Sequence, residues 1–245
     1  FRSAYDTAGN RTDWTIFNSD ASVSAHYKYK YDSLGILYEE TRLNLDNSVA
    51  SKIIYSHDSS GKEIESVTYA TDGNIASKAT SKYDQNGNVI EWLKLDSLGN
   101  WAQKRTYAYD DRNNVIEVAD FKPEKDPKKK EKDEVASGKK TYTYNADGYL
   151  TDETIFSSDG SILSKTTYIL DEKGNLSEEQ VSNPKRAIVG KKKISSTGAT
   201  EKRTYEYDAN GTMIEKDTYA IDGSLVSKTV YKYNDSGNKI GRAHV

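Results

Sequence analysis

The sequence predicts an all-β fold: an elongated antiparallel β-meander built from 26-residue hairpin repeats, twisted or superhelical. Three observations carry this. A turn motif, D-x-x-G-N, recurs at a fixed spacing. The segments between turns are about ten residues long, which leaves no room for helices between tight turns. Residues two apart along those segments share a character, as they do on one face of a strand.

The repeat is anchored on the Asp or Asn that opens each turn: Asp6, Asp32, Asp58, Asp84, Asp110, Asn145, Asp171, Asp208 and Asn234. Six of the eight intervals are 26 residues, and the other two, 35 and 37, mark insertions. The expected organisation is a single array over residues 1–245, with eight full units from Asp6 to Tyr233 and roughly 16 to 18 strands. The chain opens at Phe1 in mid-pattern, so any leader is expected to have been removed or to lie outside it.

Each unit carries two turns. In the first, as in Asp84-Gln85-Asn86-Gly87-Asn88, Asp bonds its own backbone and Gly supplies positive φ. The second lies 14 residues on, at Asp72-Gly73, Asp159-Gly160 and Asp222-Gly223. Asp-Gly between β-prone runs signals a hairpin.

Counting the anchor as position 1 assigns the faces. Positions 24 and 26 are Tyr in most units, as in Tyr29 and Tyr31 or Tyr107 and Tyr109. Position 18 (Val23, Val49, Ile75, Trp101) and position 7 (Ile64, Ile90, Ile116, Ile214) are expected on the same face, position 7 opposite the Tyr column. The other face carries an acid at position 8, from Asp13 and Glu39 to Glu215, and Lys at position 21, from Lys52 to Lys228, with His26 in the first unit. Kept in register, these form a ladder of alternating sign. Position 12 (Phe17, Leu43, Tyr69, Phe121) falls on the charged face by parity, unless a bulge flips it.

Composition narrows the function classes. Apolar residues make up 35% of the chain and charged residues 30%, which suits a thin rather than a deep core, while 19 Tyr argue against wholesale disorder. A net charge of -3 gives no footprint for nucleic acid. No apolar run is long enough for a membrane helix. There is no cysteine, hence no disulfide and no thiolate metal site.

The recurring Y-x-Y-D-x-x-G-N resembles the YD repeats of RHS-type bacterial proteins and is similar to tandem β-hairpin repeats of bacterial surface proteins. The resemblance extends from Tyr5 to Lys239. It implies a bacterial surface or secreted protein, or a shell segment wound around a toxin.

The acidic column invites acid–base catalysis, but an acid repeated in every unit diagonal to a Lys is a structural ladder. The Asp-rich turns lack the ligand density of calcium loops. His26 and His57 occupy Lys and Tyr slots, and His244 stands apart. No catalytic, cofactor or metal motif is present. The Tyr rows could stack sugar rings, or pack against one another. Two insertions break the symmetry, Lys122 to Glu134 and Asn183 to Gly198, and both replace a second turn, which sends both from one edge of the sheet. Lys128, Lys129 and Lys130 in the first, and Lys185, Arg186, Lys191, Lys192 and Lys193 in the second, are the candidate partner-binding residues. The expectation is a non-enzymatic scaffold for adhesion or assembly, extracellular, at the cell surface or periplasmic, binding another protein or an anionic glycan at the insertions. The alternatives are a wall segment of an RHS-like container, and a carbohydrate-binding module using the Tyr face. No cofactor is expected.

Overall fold

Asp6, Asp32 and their counterparts set the chain into tight reversals, and the computed structural model shows what those reversals build. It describes residues 1–123, 134–182, 199–234 and 236–244. The chain divides into two compact units, one of Phe1–Thr106 with Phe121–Val135, the other of Tyr107–Asp120 with Ala136–Val245. The strands are β1 (Arg2–Tyr5), β2 (Arg11–Phe17), β3 (Val23–Tyr31), β4 (Leu37–Leu43), β5 (Val49–His57), β6 (Glu63–Tyr69), β7 (Ile75–Tyr83), β8 (Val89–Leu95) and β9 (Trp101–Tyr109). They continue as β10 (Val115–Pro123), β11 (Glu134–Tyr144), β12 (Leu150–Phe156), β13 (Ile162–Leu170), β14 (Leu176–Ser182), β15 (Ala199–Tyr207), β16 (Met213–Ala220), β17 (Leu225–Tyr233) and β18 (Lys239–His244). All eighteen belong to one open antiparallel meander without helices among the described residues. Lys122, Pro123 and Glu134, expected in the first insertion, are strand residues.

Both turns of the repeat have the same construction. In the first, Asp84 N–H donates to Asn88 O at 2.9 Å and Gly87 N–H to Asp84 O at 3.1 Å, with Gly87 at φ +87°. In the second, Ala70 N–H donates to Asn74 O at 2.9 Å and Gly73 N–H to Ala70 O at 3.0 Å, with Gly73 at φ +80°. Each is a type I turn closed by a left-handed residue, the three-residue hairpin loop with a G1 bulge. The second turn therefore opens two residues before its Asp-Gly. Its Asp caps from the middle of the loop: Asp72 Oδ1 accepts from Asn74 N–H at 3.0 Å. The first-turn Asp caps from the start: Asp84 Oδ1 accepts from Asn88 N–H at 2.8 Å.

A bulge at each turn whose flanking register is described corrects two face assignments. Tyr83 pairs with Val89, at position 6, and Ile90, at position 7, is the extra residue of the bulge. Ile64, Ile90 and Ile116 are correspondingly exposed. At the other end Leu43 pairs with Val49, and Tyr69 with Ile75, so position 18 lies opposite position 12 and not on the Tyr face. The extra residue shifts parity by one, which two-residue counting cannot register. Position 12 itself lies across from the Lys column, as in Lys52↔Tyr69 and Lys78↔Leu95, and so belongs to the charged face.

Burial is shallow. Among the described residues no large side chain is fully buried, and the most covered ones are small: Thr15 at 3% exposure, Thr229 at 5% and Ala119 at 6%. A sheet without a layer packed behind it leaves both faces half wet, so its stability comes from cross-strand pairs rather than from an interior.

Candidate functional site

The charged face forms its ladder. His26–Asp13 (2.9 Å), Lys104–Glu91 (3.3 Å), Lys139–Glu117 (3.1 Å), Lys165–Asp152 (2.8 Å) and Lys202–Glu178 (2.6 Å) are pairs of positions 21 and 8, joined by Lys78–Glu65 and Lys228–Glu215. Three of these lysines also cover the aromatic at position 12 of the next strand: Lys104 over Phe121 at 5.7 Å, Lys139 over Phe156 at 5.1 Å and Lys202 over Tyr219 at 5.9 Å; Lys52 lies over Tyr69 in the same way at 5.4 Å. Lys104, Lys139 and Lys202 thus bridge an acid on one neighbour and a ring on the other. Exposed ion pairs and cation–π contacts contribute about 0.2–1 kcal/mol each, so the ladder stabilises by repetition. Glu91 takes a second lysine, Lys82 at 2.7 Å, and its carboxyl is held below the ordinary range by the bond from Lys82, then that from Lys104.

The Tyr face divides its two columns between two tasks. At position 26 the hydroxyl caps backbone. Tyr31 O–H donates to Arg11 O (3.0 Å), Tyr83 to Glu63 O (2.6 Å), Tyr144 to Val115 O (2.9 Å) and Tyr233 to Met213 O (2.9 Å). The accepting carbonyl lies just beyond the end of the ladder. β6 pairs with β7 only as far as Glu65↔Thr80, so the Glu63 carbonyl has no strand partner on that side. At position 24 the rings meet carboxylates at position 9: Glu40 opposite Tyr29, Glu153 opposite Tyr142, Glu179 opposite Tyr168. Burial, then the Glu40 and Glu63 charges, push the Tyr55 hydroxyl up to about 12. Tyr205 is raised by burial and by donating to Glu179 at 2.8 Å, a carboxylate that Arg203 also holds at 3.0 Å. These Glu residues fall outside the columns singled out from sequence, because position 9 changes residue type from unit to unit.

Where aromatic rings cluster, they cover one another. Trp14 stacks on its cross-strand partner Tyr27 (5.6 Å, 28°), Tyr27 on Tyr29 (6.4 Å), and the Arg11 guanidinium lies 4.6 Å from the Trp14 centroid. Trp92 holds the same repeat position as Trp14, and both face a serine on the preceding strand, Ser81 and Ser3; on the following strand Trp92 lies across from Arg105 where Trp14 has Tyr27.

The expected partner-binding residues Lys128, Lys129, Lys130, Lys185, Arg186, Lys191, Lys192 and Lys193 lie outside the described residues. His26 pairs with Asp13, and His57 lies opposite Glu63. Among the described residues no group of three or more His, Asp or Glu is placed to hold a metal ion, and no helix is long and apolar enough to cross a membrane.

No family model matches the chain, and no curated protein matches it. Among solved structures it is similar to a chain of the TcdB2-TccC3-Cdc42 crystal structure, at 14% identity over 98% of this chain and 15% of that chain, with a TM-score of 0.40. It is similar to a chain of the Photorhabdus luminescens Tc holotoxin pore, at 13% identity over 99% of this chain and 15% of that one, with a TM-score of 0.31. A porin-like protein from Bacteroides uniformis matches at 12% identity over 95% of this chain and 92% of its own, with a TM-score of 0.36. The chain thus spans only 15% of the toxin-complex chains it matches, and no family membership follows from identities this low.

Proposed function

We propose that this chain is a non-enzymatic repeat scaffold serving adhesion or assembly outside the cell or at a bacterial surface. One observation carries it: the contact between positions 8 and 21 recurs in seven of the eight repeats, six times as a Lys–carboxylate ion pair and once as the His26–Asp13 hydrogen bond, so these polar groups of the charged face are engaged in holding strands together. A chemistry repeated at every step suits avidity along an array and offers no unique catalytic centre. A container wall is the second reading. A sheet with no layer behind it and two chemically distinct faces suits a wall, and the Y-x-Y-D-x-x-G-N resemblance points the same way.

Partner choice is proposed to rest with the insertions, which alone break the repeat and which carry Lys128, Lys129, Lys130, Lys185, Arg186, Lys191, Lys192 and Lys193. The test has two arms. Deleting residues 58–83, one unit in register, should leave a folded protein with a modest fall in melting temperature, because each unit contacts only its neighbours. Replacing both insertions by Asp-Gly turns should abolish salt-sensitive retention on a sulfated polysaccharide resin while the array stays folded. Global unfolding on unit deletion would refute the modular scaffold. Undiminished retention after trimming would remove the insertions as the docking element.

A further inference from the structure

Three repeats carry Glu at position 9, Glu40, Glu153 and Glu179, and in two of them the chain itself supplies a cation. Glu179 lies across from Tyr168 on β13 and from Arg203 on β15. Its carboxylate accepts from the Arg203 guanidinium at 3.0 Å and from the Tyr205 hydroxyl at 2.8 Å. Glu153 lies across from Tyr142 on β11 and from Thr166 on β13, and pairs with Lys140 at 3.1 Å. Lys140 and Arg203 hold the same repeat position, one residue after the Lys of the ladder.

Glu40 is the exception. The residues in that position on its two neighbouring strands are Tyr27 on β3 and Ile53 on β5, and Ile53 stands directly across from it. Tyr29 and Tyr55 flank Glu40 as Tyr168 and Tyr205 flank Glu179. Glu40 is half-buried, yet it makes no hydrogen bond or ion pair among the described residues. Arg11 reaches the Tyr29 ring from the β2 side, at 5.4 Å, and does not pair with Glu40. Arg42, two residues along β4, is exposed and makes no ion pair among the described residues. Beyond Tyr55, Glu63 on β6 is a second half-buried carboxylate without an ion pair among the described residues, and lies across from His57. The Tyr55 hydroxyl is pushed up by burial and then by the Glu40 and Glu63 charges, so both carboxylates act on it.

We propose that Glu40, Tyr29, Tyr55 and Ile53 form a docking site for an arginine side chain of a partner protein, whose guanidinium takes the place that Arg203 holds at Glu179. A carboxylate withdrawn from water without a partner is costly, and a guanidinium answers it with charge-assisted hydrogen bonds. The flat faces of a guanidinium are weakly hydrated and rest on rings, which Tyr29 and Tyr55 supply. Ile53 gives the methylene stem an apolar floor. Glu63 adds to the charge complementarity. The site goes beyond the scaffold role. It lies on the regular Tyr face, apart from the insertions, and adds a second contact that does not depend on theirs.

The probe is a short peptide with one arginine, otherwise uncharged, acetylated and amidated at its ends. In the methyl-labelled full chain, the Ile53 methyl signal should shift and saturate on titration. The Ile155 methyl, beside the Glu153 that Lys140 already fills, should stay in place. The same peptide with citrulline, an uncharged isostere of arginine, should not bind. Binding to variants is read from the peptide's own saturation-transfer signal. Glu40→Gln should lower affinity at least tenfold, and Tyr55→Phe severalfold. Ile53→Arg supplies from within the cation that Arg203 supplies at Glu179. It should block the peptide while holding or raising the melting temperature, which separates loss of binding from loss of fold. Arg42→Gln should bind at least as tightly as the parent. Five results would overturn the assignment: no Ile53 shift at millimolar peptide, equal binding of the citrulline peptide, undiminished binding by Glu40→Gln or by Ile53→Arg, weaker binding by Arg42→Gln, or tighter binding of the matching lysine peptide.

Discussion

The two margins of the sheet use the same turn and differ in what the turns touch. Along the first-turn margin, consecutive turns meet at five glycines, whereas a Cβ at Gly148 or Gly237 would meet nothing within 4 Å. The residue after the glycine of one turn lies against the glycine of the next: Asn10 at Gly35, Ile36 at Gly61, Lys62 at Gly87, Tyr149 at Gly174, Asn175 at Gly211. A Cβ at Gly61 would come within 3.2 Å of Ile36 Cδ1, and one at Gly174 within 2.9 Å of the Tyr149 hydroxyl. The Tyr caps on Arg11, Glu63, Val115 and Met213 close the same margin. Along the second-turn margin, a Cβ at Gly73, Gly99, Gly160 or Gly223 would meet nothing within 4 Å. Turns there stand alone, and both insertions fall on that margin. A solitary turn tolerates extra chain at the slow logarithmic cost of loop closure, whereas a turn wedged between its neighbours loses packing as well.

Acid should weaken both margins together, and with nine turns affected this is the largest expected effect. Asp6, Asp58, Asp84, Asp110 and Asp171 in first turns, and Asp20, Asp46, Asp72 and Asp222 in second turns, all sit below the ordinary value of 3.8. In Asp110 and Asp171 the leading cause is the Asn side chain closing the loop; in Asp20 and Asp46 it is a Ser hydroxyl. A carboxyl lowered by folding stabilises fully above its unfolded value, and that stability fades as pH falls from about 4 through the lower folded values. Urea midpoints from pH 6 down to pH 2 should drop most steeply below pH 4. A flat profile would mean that the Asp caps contribute nothing.

An insertion placed on purpose separates the margins. Ten Gly/Ser residues added within the turn Ala70–Asn74 should cost about 1 kcal/mol, the closure entropy alone. The same segment within Asp58–Lys62 should cost about 2–3 kcal/mol, because contacts to Ile36 and Tyr83 and the cap on Glu63 are lost too. Equal urea midpoints for the two variants would erase the distinction.

Single glycines sharpen it. Gly73→Ala at φ +80° should cost about 1 kcal/mol of left-handed strain. Gly61→Ala at φ +82° should cost about 2 kcal/mol, since the Ile36 methyl must also move. The smallest change runs the other way. Ala21 holds φ +66° in a second turn, so Ala21→Gly should stabilise by about 0.5–1 kcal/mol with no effect on neighbouring repeats. Thermal or urea unfolding of the single variants decides both points.

The sequence alone was sufficient for the repeat, the all-β meander, the turn sites and the pairing of positions 8 and 21. Asp caps, αL glycines and two-residue alternation act within a few residues of chain, and local chemistry is legible locally. The Lys column next to an acidic column was visible as a ladder because both columns are uniform from unit to unit. What only the tertiary structure decided follows from the bulge at each turn. One extra residue per turn places Val89 rather than Ile90 opposite Tyr83, and moves Val49 and Ile75 across from Leu43 and Tyr69. The contacts between one repeat and the next, Ile36 on Gly61 and the Tyr83 hydroxyl on Glu63 O, depend on where the ladder ends, which no single segment encodes.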